Sequence, residues 1–181
     1  TCALGTFRGY TDNKPSYIQP VDSRTESILA YGPLRTVVEI HDEDWQYNNQ
    51  TLDLTLRYIL YGGHRDAEVA VKICSDEPIN STFCTGLIKL DNCQTYSDHK
   101  GTAAVWGDNW PAGRKDTVGR KKEVLGMAVK IPQRNVVGEP ENEENMIYLL
   151  GEKARILTKE LAFSYHIAFA SDKEEESTIH S

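Results

Sequence analysis

The segment from His41 to Asp44 holds four consecutive side chains, His-Asp-Glu-Asp, that can bind a cation or transfer protons. Calcium takes several carboxylate oxygens, often from one loop. The spacing fits no EF-hand, and neighbouring residues of an extended chain point their carboxylates in opposite directions. The simpler interpretation is a solvated acidic loop after a strand, and the functional one is a metal-dependent hydrolase that uses His41, Asp42 and Asp44.

Sequence motifs of established enzyme classes are absent from the chain. It has no GxSxG, HExxH, P-loop or GxGxxG pattern, and its best predicted strands carry no pair of carboxylates on one face. His166, in the middle of the last predicted strand, has the small neighbours of a hydrogen-bonded packing residue. We therefore predict a protein that is not an enzyme, with no catalytic residues, no cofactor and no metal.

Aromatic residues beside predicted loops are the best candidates for ligand contacts. Trp45 and Tyr47 follow the acidic residues, and Trp106 and Trp110 stand near each other around a turn-rich stretch. Exposed aromatic side chains often anchor a protein or a sugar ligand. The alternative for the second pair is that Trp106 belongs to the core and Trp110 packs as a plug in the loop.

A basic cluster at residues 114–122 interrupts an otherwise acidic chain, whose net charge is −7 and whose pI is about 5.2. The overall acidity argues against nucleic acid as a partner, because phosphate binding needs a basic face. Three interpretations of the cluster stay open: a site for a polyanion, a loop cut by secretory proteases, or a solvated hairpin loop. Its candidate contact residues are Arg114, Lys115, Arg120, Lys121 and Lys122.

The four cysteines, Cys2, Cys74, Cys84 and Cys93, form no CxxC motif, so a zinc site of the usual spacing is not expected. An even number of cysteines near predicted loops indicates two disulfides. The sequence does not decide among the three possible pairings. We favour Cys74–Cys84, which closes a local loop, with Cys2–Cys93, which ties down the N-terminus. Four reduced thiols are the alternative.

Two N-glycosylation sequons begin at Asn49 and Asn80, in predicted loops or at strand starts where a glycan can be attached. Together with the cysteines they predict a secreted, extracellular glycoprotein. The residues from Thr1 onward lack the pattern of a signal peptide, which suggests a mature or trimmed chain. No apolar run approaches the ~18 residues of a membrane helix, so we expect no membrane insertion.

Alternating apolar residues predict the strands. The clearest hairpin runs from Thr51 to Cys74, with Gly62 and Gly63 at the turn, where glycine allows a positive φ. The cleanest single strand spans residues 161–170, large and apolar on one face and small on the other, and we expect it to be central in a sheet.

About seven to nine short strands with few helices favour an all-β fold, a single-domain antiparallel β-sandwich or jelly roll. The predicted domain covers residues 1–171, with 1–23 as an irregular N-terminal arm. Residues 172–181 form a charged tail that we expect to be disordered.

The leading functional hypothesis is a secreted, non-enzymatic binding protein, such as a pathogen or parasite effector or an immune modulator. It would bind a host protein through its loops or one sheet face. The first alternative is a lectin-like module with Trp110 in a shallow groove beside Asp108 and Asn109. The hydrolase that uses the acidic segment is the second alternative, and a structural or coat role is a further one.

Overall fold

The structure, a computed structural model, describes residues 1–110, 122–151 and 158–172. These residues form strands, turns and one short 3-10 turn at Gln133–Asn135, with no α-helix among them. The strands are β1 (Arg8–Thr11), β2 (Lys14–Ser16), β3 (Ser23–Ala30), β4 (Arg35–Tyr47), β5 (Gln50–Tyr61), β6 (Asp66–Cys74), β7 (Phe83–Ile88), β8 (Asp91–Ser97), β9 (Thr102–Asn109), β10 (Glu123–Lys130), β11 (Val136–Gly138), β12 (Asn145–Leu150) and β13 (Glu160–Ser171).

Two antiparallel sheets make the predicted β-sandwich. The smaller sheet has five strands in the order β11-β12-β7-β1-β2, and the larger has eight in the order β3-β4-β5-β6-β13-β10-β9-β8. The apolar faces of the two sheets enclose one main core. The larger sheet therefore has an inner face on that core and an outer face that points away from it. Within the described ranges there is no helix long and apolar enough to span a membrane.

The predicted hairpin is present as β5 and β6, with Gly63 at φ +76° in the turn. Its inner-face residues Leu54 and Ile73 are directly opposite each other and fully buried. The period-two alternation of the sequence thus gave the correct face as well as the correct strands.

Strand β13 is central, as its sequence predicted. It pairs with β6 on one side and β10 on the other, and Tyr165 on its inner face is fully buried. Its outer face carries Ala162, Ser164, Ala168 and Ala170 around His166. These small residues leave the outer face of the sheet open at its centre.

Strand β4 continues through the segment that the sequence predicted as an acidic loop. It runs to Tyr47 and stays paired with β5 throughout, so only two residues separate the two strands. A β-bulge lies between Asp42 and Trp45, with Asp44 at φ +53°. The extra residue changes the alternation, so that Asp42 and Trp45 both point into the core.

Two further predictions need correction. Residues 1–23 are not wholly irregular, because β1 and β2 lie there and join the smaller sheet. The described part of the chain has 13 strands rather than about seven to nine, since β1, β2 and β11 have only three or four residues and the polar strand β8 shows no apolar alternation. The predicted tail lies outside the described residues from 173 onward.

Candidate functional site

An aromatic platform, formed by Tyr96 on β8 and Trp106 on β9, stands on the outer face of the larger sheet. The two side chains are 58% and 56% exposed. Tyr96 is opposite Ala104, and Trp106 is opposite Gln94, so the two aromatic residues are diagonal neighbours on adjacent strands. Large aromatic side chains left exposed side by side indicate a contact surface.

Gly126 sets the position of the Trp106 ring. The two residues are opposite each other on β10 and β9. A Cβ atom added to Gly126 would lie 2.8 Å from Cε3 and 2.9 Å from Cζ3 of Trp106. The Cε3–Cζ3 edge of the indole therefore occupies the space that a side chain at position 126 would take, and any larger residue there would displace the ring.

Alanines make the floor beside the platform. One row across five strands consists of Tyr96, Ala104, Ala128, Ala168 and Asp66, each opposite the next. The three alanines leave a shallow channel, because no side chain longer than a methyl group rises from its middle. The row therefore runs from the aromatic side chain of Tyr96 at one end to the carboxylate of Asp66 at the other.

The acidic end is organised around Asp66. Its two carboxylate oxygens lie 3.1 Å from Nδ1 of His166 and 3.3 Å from Nδ1 of His64. The hydrogen bond with His166, followed by that with His64, lowers the pKa of Asp66 below its ordinary value, although burial acts in the opposite direction. The carboxylate is therefore held in its charged form, with a fixed orientation, at the surface.

The channel contains two adjoining grooves. The first, of about 490 Å³, is lined by the platform, the floor and Arg65. The second, of about 540 Å³, contains Asp66, His166 and Lys130. The two grooves share Ala128 and Ala168, so a ligand that extends from the platform to Asp66 would cross both.

Polar groups also lie on the other side of Trp106. Gln94 is its cross-strand neighbour, and Asp108 lies two residues further along the same face of β9. An Asp108 carboxylate oxygen accepts a hydrogen bond from Asn92 Nδ2 at 3.3 Å. Amide and carboxylate groups therefore border the indole ring, which gives a flat apolar surface with polar edges.

A family model covers the whole chain. The model described as Domain of unknown function (DUF4861) matches residues 1–181. The chain belongs to the DUF4861 family. No curated protein matches it.

Among solved structures, the DUF4861 chain is similar to a GH36 alpha-galactosidase from Geobacillus stearothermophilus in complex with raffinose. The sequence identity is 8% and the TM-score 0.39. The match covers 91% of the DUF4861 chain and 30% of the galactosidase chain.

Trp45 and Tyr47, predicted as ligand contacts, are core residues of this DUF4861 domain. Trp45 is fully buried and stacks on Tyr47 with ring centroids 4.6 Å apart. The Tyr47 hydroxyl accepts a hydrogen bond from Tyr10 N at 2.6 Å and donates one to Thr82 O at 2.8 Å. The prediction was wrong here, because the β-bulge in β4 turns both rings inward.

Trp106 is exposed as predicted, whereas Trp110 is half-buried at the end of β9. The Trp110 ring lies beneath Lys122, whose Nζ is 5.8 Å from the ring centroid and donates a hydrogen bond to Asp91 at 2.9 Å. The groove beside the platform includes Trp106 but not Trp110, the residue on which the lectin-like prediction was centred. The other basic candidates, Arg114, Lys115, Arg120 and Lys121, lie outside the described residues.

The acidic segment does not converge into a site. His41 bonds to Thr55 on the outer face, whereas Asp42 is fully buried on the inner face and pairs with Arg24. Asp44 lies in the bulge. Across the residues that the structure describes, no three His, Cys, Asp or Glu side chains are grouped so that they could hold a metal ion. The hydrolase that uses His41, Asp42 and Asp44 therefore loses its geometric basis.

All four cysteines are described, and all are free thiols in this structure. The fold does not bring the predicted cysteine pairs close together. Cys84 lies on the smaller sheet and packs with Cys2, whereas Cys74 lies on the larger sheet and Cys93 packs against the main core. Cys74–Cys84 and Cys2–Cys93 therefore join residues that the sandwich keeps apart.

The two sequon asparagines, Asn49 and Asn80, are exposed. Asn49 lies in the β4–β5 turn at φ +59°. Asn80 donates its backbone N–H to Gln50 Oε1 at 2.9 Å. Both positions leave room for a glycan, so glycosylation stays a prediction with favourable geometry.

Sequence reasoning missed Tyr96, Gly126 and Asp66 as site residues. Asp66 and His166 are 100 residues apart in the sequence, and only the pairing of β6 with β13 brings them together. Gly126 had a visible signal, because it is a glycine inside an otherwise apolar strand. A glycine in a strand often marks a close approach of another group.

Proposed function

We propose that this protein is a non-enzymatic carbohydrate-binding module that holds an oligosaccharide on the outer face of its larger sheet. The observation that carries the proposal is the exposed Trp106 ring, whose Cε3–Cζ3 edge lies against Gly126 and which has polar groups beside it. A pyranose ring has apolar C–H faces and a rim of hydroxyl groups. Such a ligand matches a flat aromatic surface bordered by hydrogen-bonding groups.

The channel supports a ligand of more than one sugar unit. Neighbouring rows of a strand are two residues, or about 6.6 Å, apart, and the floor of alanines connects two grooves. Asp66 lies three strands and one row from Trp106, about 16 Å at the usual spacings. One unit would therefore stack on Trp106, and a unit further along the same oligosaccharide would reach Asp66 and His166 across Ala128. Asp66 can accept hydrogen bonds from hydroxyl groups, because its charged form is favoured.

The test measures oligosaccharide binding by the purified protein on a glycan array and then by calorimetry. Trp106→Ala should weaken binding about tenfold, since an aromatic contact contributes ~1.5 kcal/mol beyond its buried area. The melting temperature should stay within about 2 °C of the unmodified protein, because the ring is exposed.

Trp110→Ala is the matched control, since Trp110 is a tryptophan at the end of the same strand but outside the groove. It should bind like the unmodified protein. An array without hits, or equal losses for Trp106→Ala and Trp110→Ala, would count against the proposal.

The extracellular location is part of the same proposal. It is supported by the exposure of Asn49 and Asn80. Intact mass of protein secreted from eukaryotic cells would show glycan mass at these positions. Protein with neither site occupied would remove this support.

A second candidate function, binding to another protein, is favoured by a different surface. At the corner where the β3–β4 and β5–β6 turns meet, Tyr31 is 88% and Leu34 is 83% exposed, and Ile28, Leu60 and Tyr61 are exposed as well. We take a second copy of the chain as the partner. Association in sedimentation velocity that Tyr31→Glu with Leu34→Glu abolishes would support it, and a monomer at all concentrations would contradict it.

A further inference from the structure

Cys2 and Cys84 form a buried thiol pair inside the smaller sheet. Both are fully buried and make a separate apolar cluster with Ile147, on which Tyr10 and Leu149 pack. The Cys84 thiol donates a hydrogen bond to the Gly9 carbonyl oxygen at 3.5 Å, and the two thiols lie close enough for each to shift the pKa of the other. Cys84 lies on β7, between β12 and β1, so its backbone is fixed on both sides.

The segment before β1 is held so that Cys2 faces Cys84. The backbone N–H of Cys2 donates a hydrogen bond to Asn145 Oδ1 at 2.9 Å, and the Cys2 carbonyl oxygen accepts one from Thr6 N at 3.0 Å. The next residue, Ala3, accepts from Ile88 N at 2.8 Å. The position of Cys2 therefore follows from backbone contacts on both sides of it, independently of any bond to Cys84.

The other two cysteines have no comparable arrangement. Cys74 ends β6, with its Sγ 3.8 Å from Glu160 Oε2, and Cys93 lies on the edge strand β8. Three strands separate β6 from β8, a distance of about 19 Å at the usual strand spacing, whereas a disulfide needs Cα atoms within about 7 Å. The sandwich thus brings together one pair and separates the remaining two.

We propose that Cys2 and Cys84 are the site of a disulfide bond, formed by exchange with a small-molecule disulfide such as oxidised glutathione. The thiolate of Cys2 attacks one sulfur of the oxidant, and a first glutathione leaves. Cys84 then loses its proton and attacks Cys2 Sγ, which forms the Cys2–Cys84 bond and expels a second glutathione. Two protein thiols are oxidised, and the two expelled thiolates take up the two protons.

The roles of the two cysteines differ. The hydrogen bond with Cys84 lowers the pKa of Cys2, while the same contact and burial raise the pKa of Cys84. Cys2 is the attacking thiol because it lies in the segment before the first strand, which can open to meet the oxidant while β7 stays within its sheet.

The bond would tie the N-terminal segment to the middle of the smaller sheet. It closes a loop of about 80 residues and so reduces the conformational freedom of the unfolded chain. For a domain of this size the melting temperature should rise by about 10 °C on oxidation.

The first test equilibrates the full chain with reduced and oxidised glutathione, alkylates the remaining thiols and maps peptides without reduction. We expect a linked pair of peptides that contain Cys2 and Cys84, with Cys74 and Cys93 alkylated. Four alkylated cysteines, or a link from Cys84 to Cys74 or from Cys2 to Cys93, would overturn the proposal.

The second test compares melting temperatures with and without oxidation. Cys2→Ser should abolish the rise, whereas Cys74→Ser and Cys93→Ser, the matched controls, should keep it. Cys84→Ser should also abolish the rise in melting temperature. If a hydroxyl group at the buried position of Cys84 prevents folding, Cys2→Ser alone decides the test. A rise that persists in Cys2→Ser would contradict the assignment. Neither test depends on carbohydrate binding, so the two proposals fail separately.

Discussion

Two tryptophans with similar sequence surroundings have opposite places in this fold. Trp45 and Trp106 each lie in a strand of the larger sheet beside polar and acidic residues. Trp45 is fully buried against Tyr47 and Phe83, whereas Trp106 is half-exposed over Gly126. The difference arises from the backbone, since one extra residue in β4 turns Trp45 inward, whereas β9 pairs regularly with β10 and Trp106 stays outward.

The comparison shows that aromatic composition does not by itself identify a binding surface. The face to which a residue points and the size of its cross-strand neighbours decide it. The region around Trp45 is filled by other rings and stabilises the domain. The region around Trp106 is lined by glycine and alanine and leaves space for a ligand.

The largest expected difference between the two regions is in stability. Trp45→Ala should reduce the free energy of unfolding by about 3–5 kcal/mol, because it removes a fully buried indole and leaves a cavity among the rings. Trp106→Ala should reduce it by no more than ~0.5 kcal/mol. Chemical denaturation of both variants measures the difference, and equal losses would mean that the comparison is wrong.

A smaller effect is expected at Gly126. Gly126→Ala places a methyl group against the Trp106 ring, so the ring must tilt away from its position over the strand. Affinity for the oligosaccharide should fall about threefold, as expected for part of an aromatic contact, with less than ~1 kcal/mol lost in stability. Titration calorimetry and denaturation measure the two quantities.

The matched control for Gly126→Ala is Gly138→Ala. Gly138 lies in β11 on the other sheet, where the new methyl group would meet Leu149 at 3.1 Å. It should leave the affinity unchanged. If both variants bind equally well, the position of the Trp106 ring does not matter for binding.

The smallest effect concerns the acidic end of the channel. The pKa of Asp66 is lowered in the folded protein, so its contribution to stability is present above the unfolded value of about 3.9 and is lost as the pH falls through the folded value. Asp66→Asn should therefore reduce the acid-induced drop in melting temperature below pH 4. The difference should be about 1–2 °C, because the pair is exposed and screened.

Variants of the two histidines sharpen this prediction. In the size of the acid-induced drop in melting temperature, His166→Gln should be closer to Asp66→Asn than His64→Gln is. The reason is that the hydrogen bond with His166 is the larger cause of the lowered pKa of Asp66. The reverse order in melting curves recorded from pH 6 to pH 2.5 would contradict the assignment of the main partner.

The alternation of apolar and polar residues was enough to predict the hairpin and the central strand, because a period of two shows which side of a strand is buried. It was insufficient at β4, where the acidic residues resembled a loop although they continue the strand. It was also insufficient for the cysteines, since closeness in sequence suggested Cys74–Cys84 while the two sheets separate them. Local patterns carry no information about which strands become neighbours when they are far apart in the sequence.

The sequence by itself determined the all-β class, the antiparallel sandwich and the inner faces of β5, β6 and β13, because these follow from local alternation of apolar residues. Tertiary structure decided which aromatic rings are exposed, which cysteines meet and which polar residues border the channel. The physical reason is that a bulge or a cross-strand partner acts through backbone pairing between distant segments. The contact of Asp66 with His166 and that of Trp106 with Gly126 exist only after the strands of the larger sheet have taken their order.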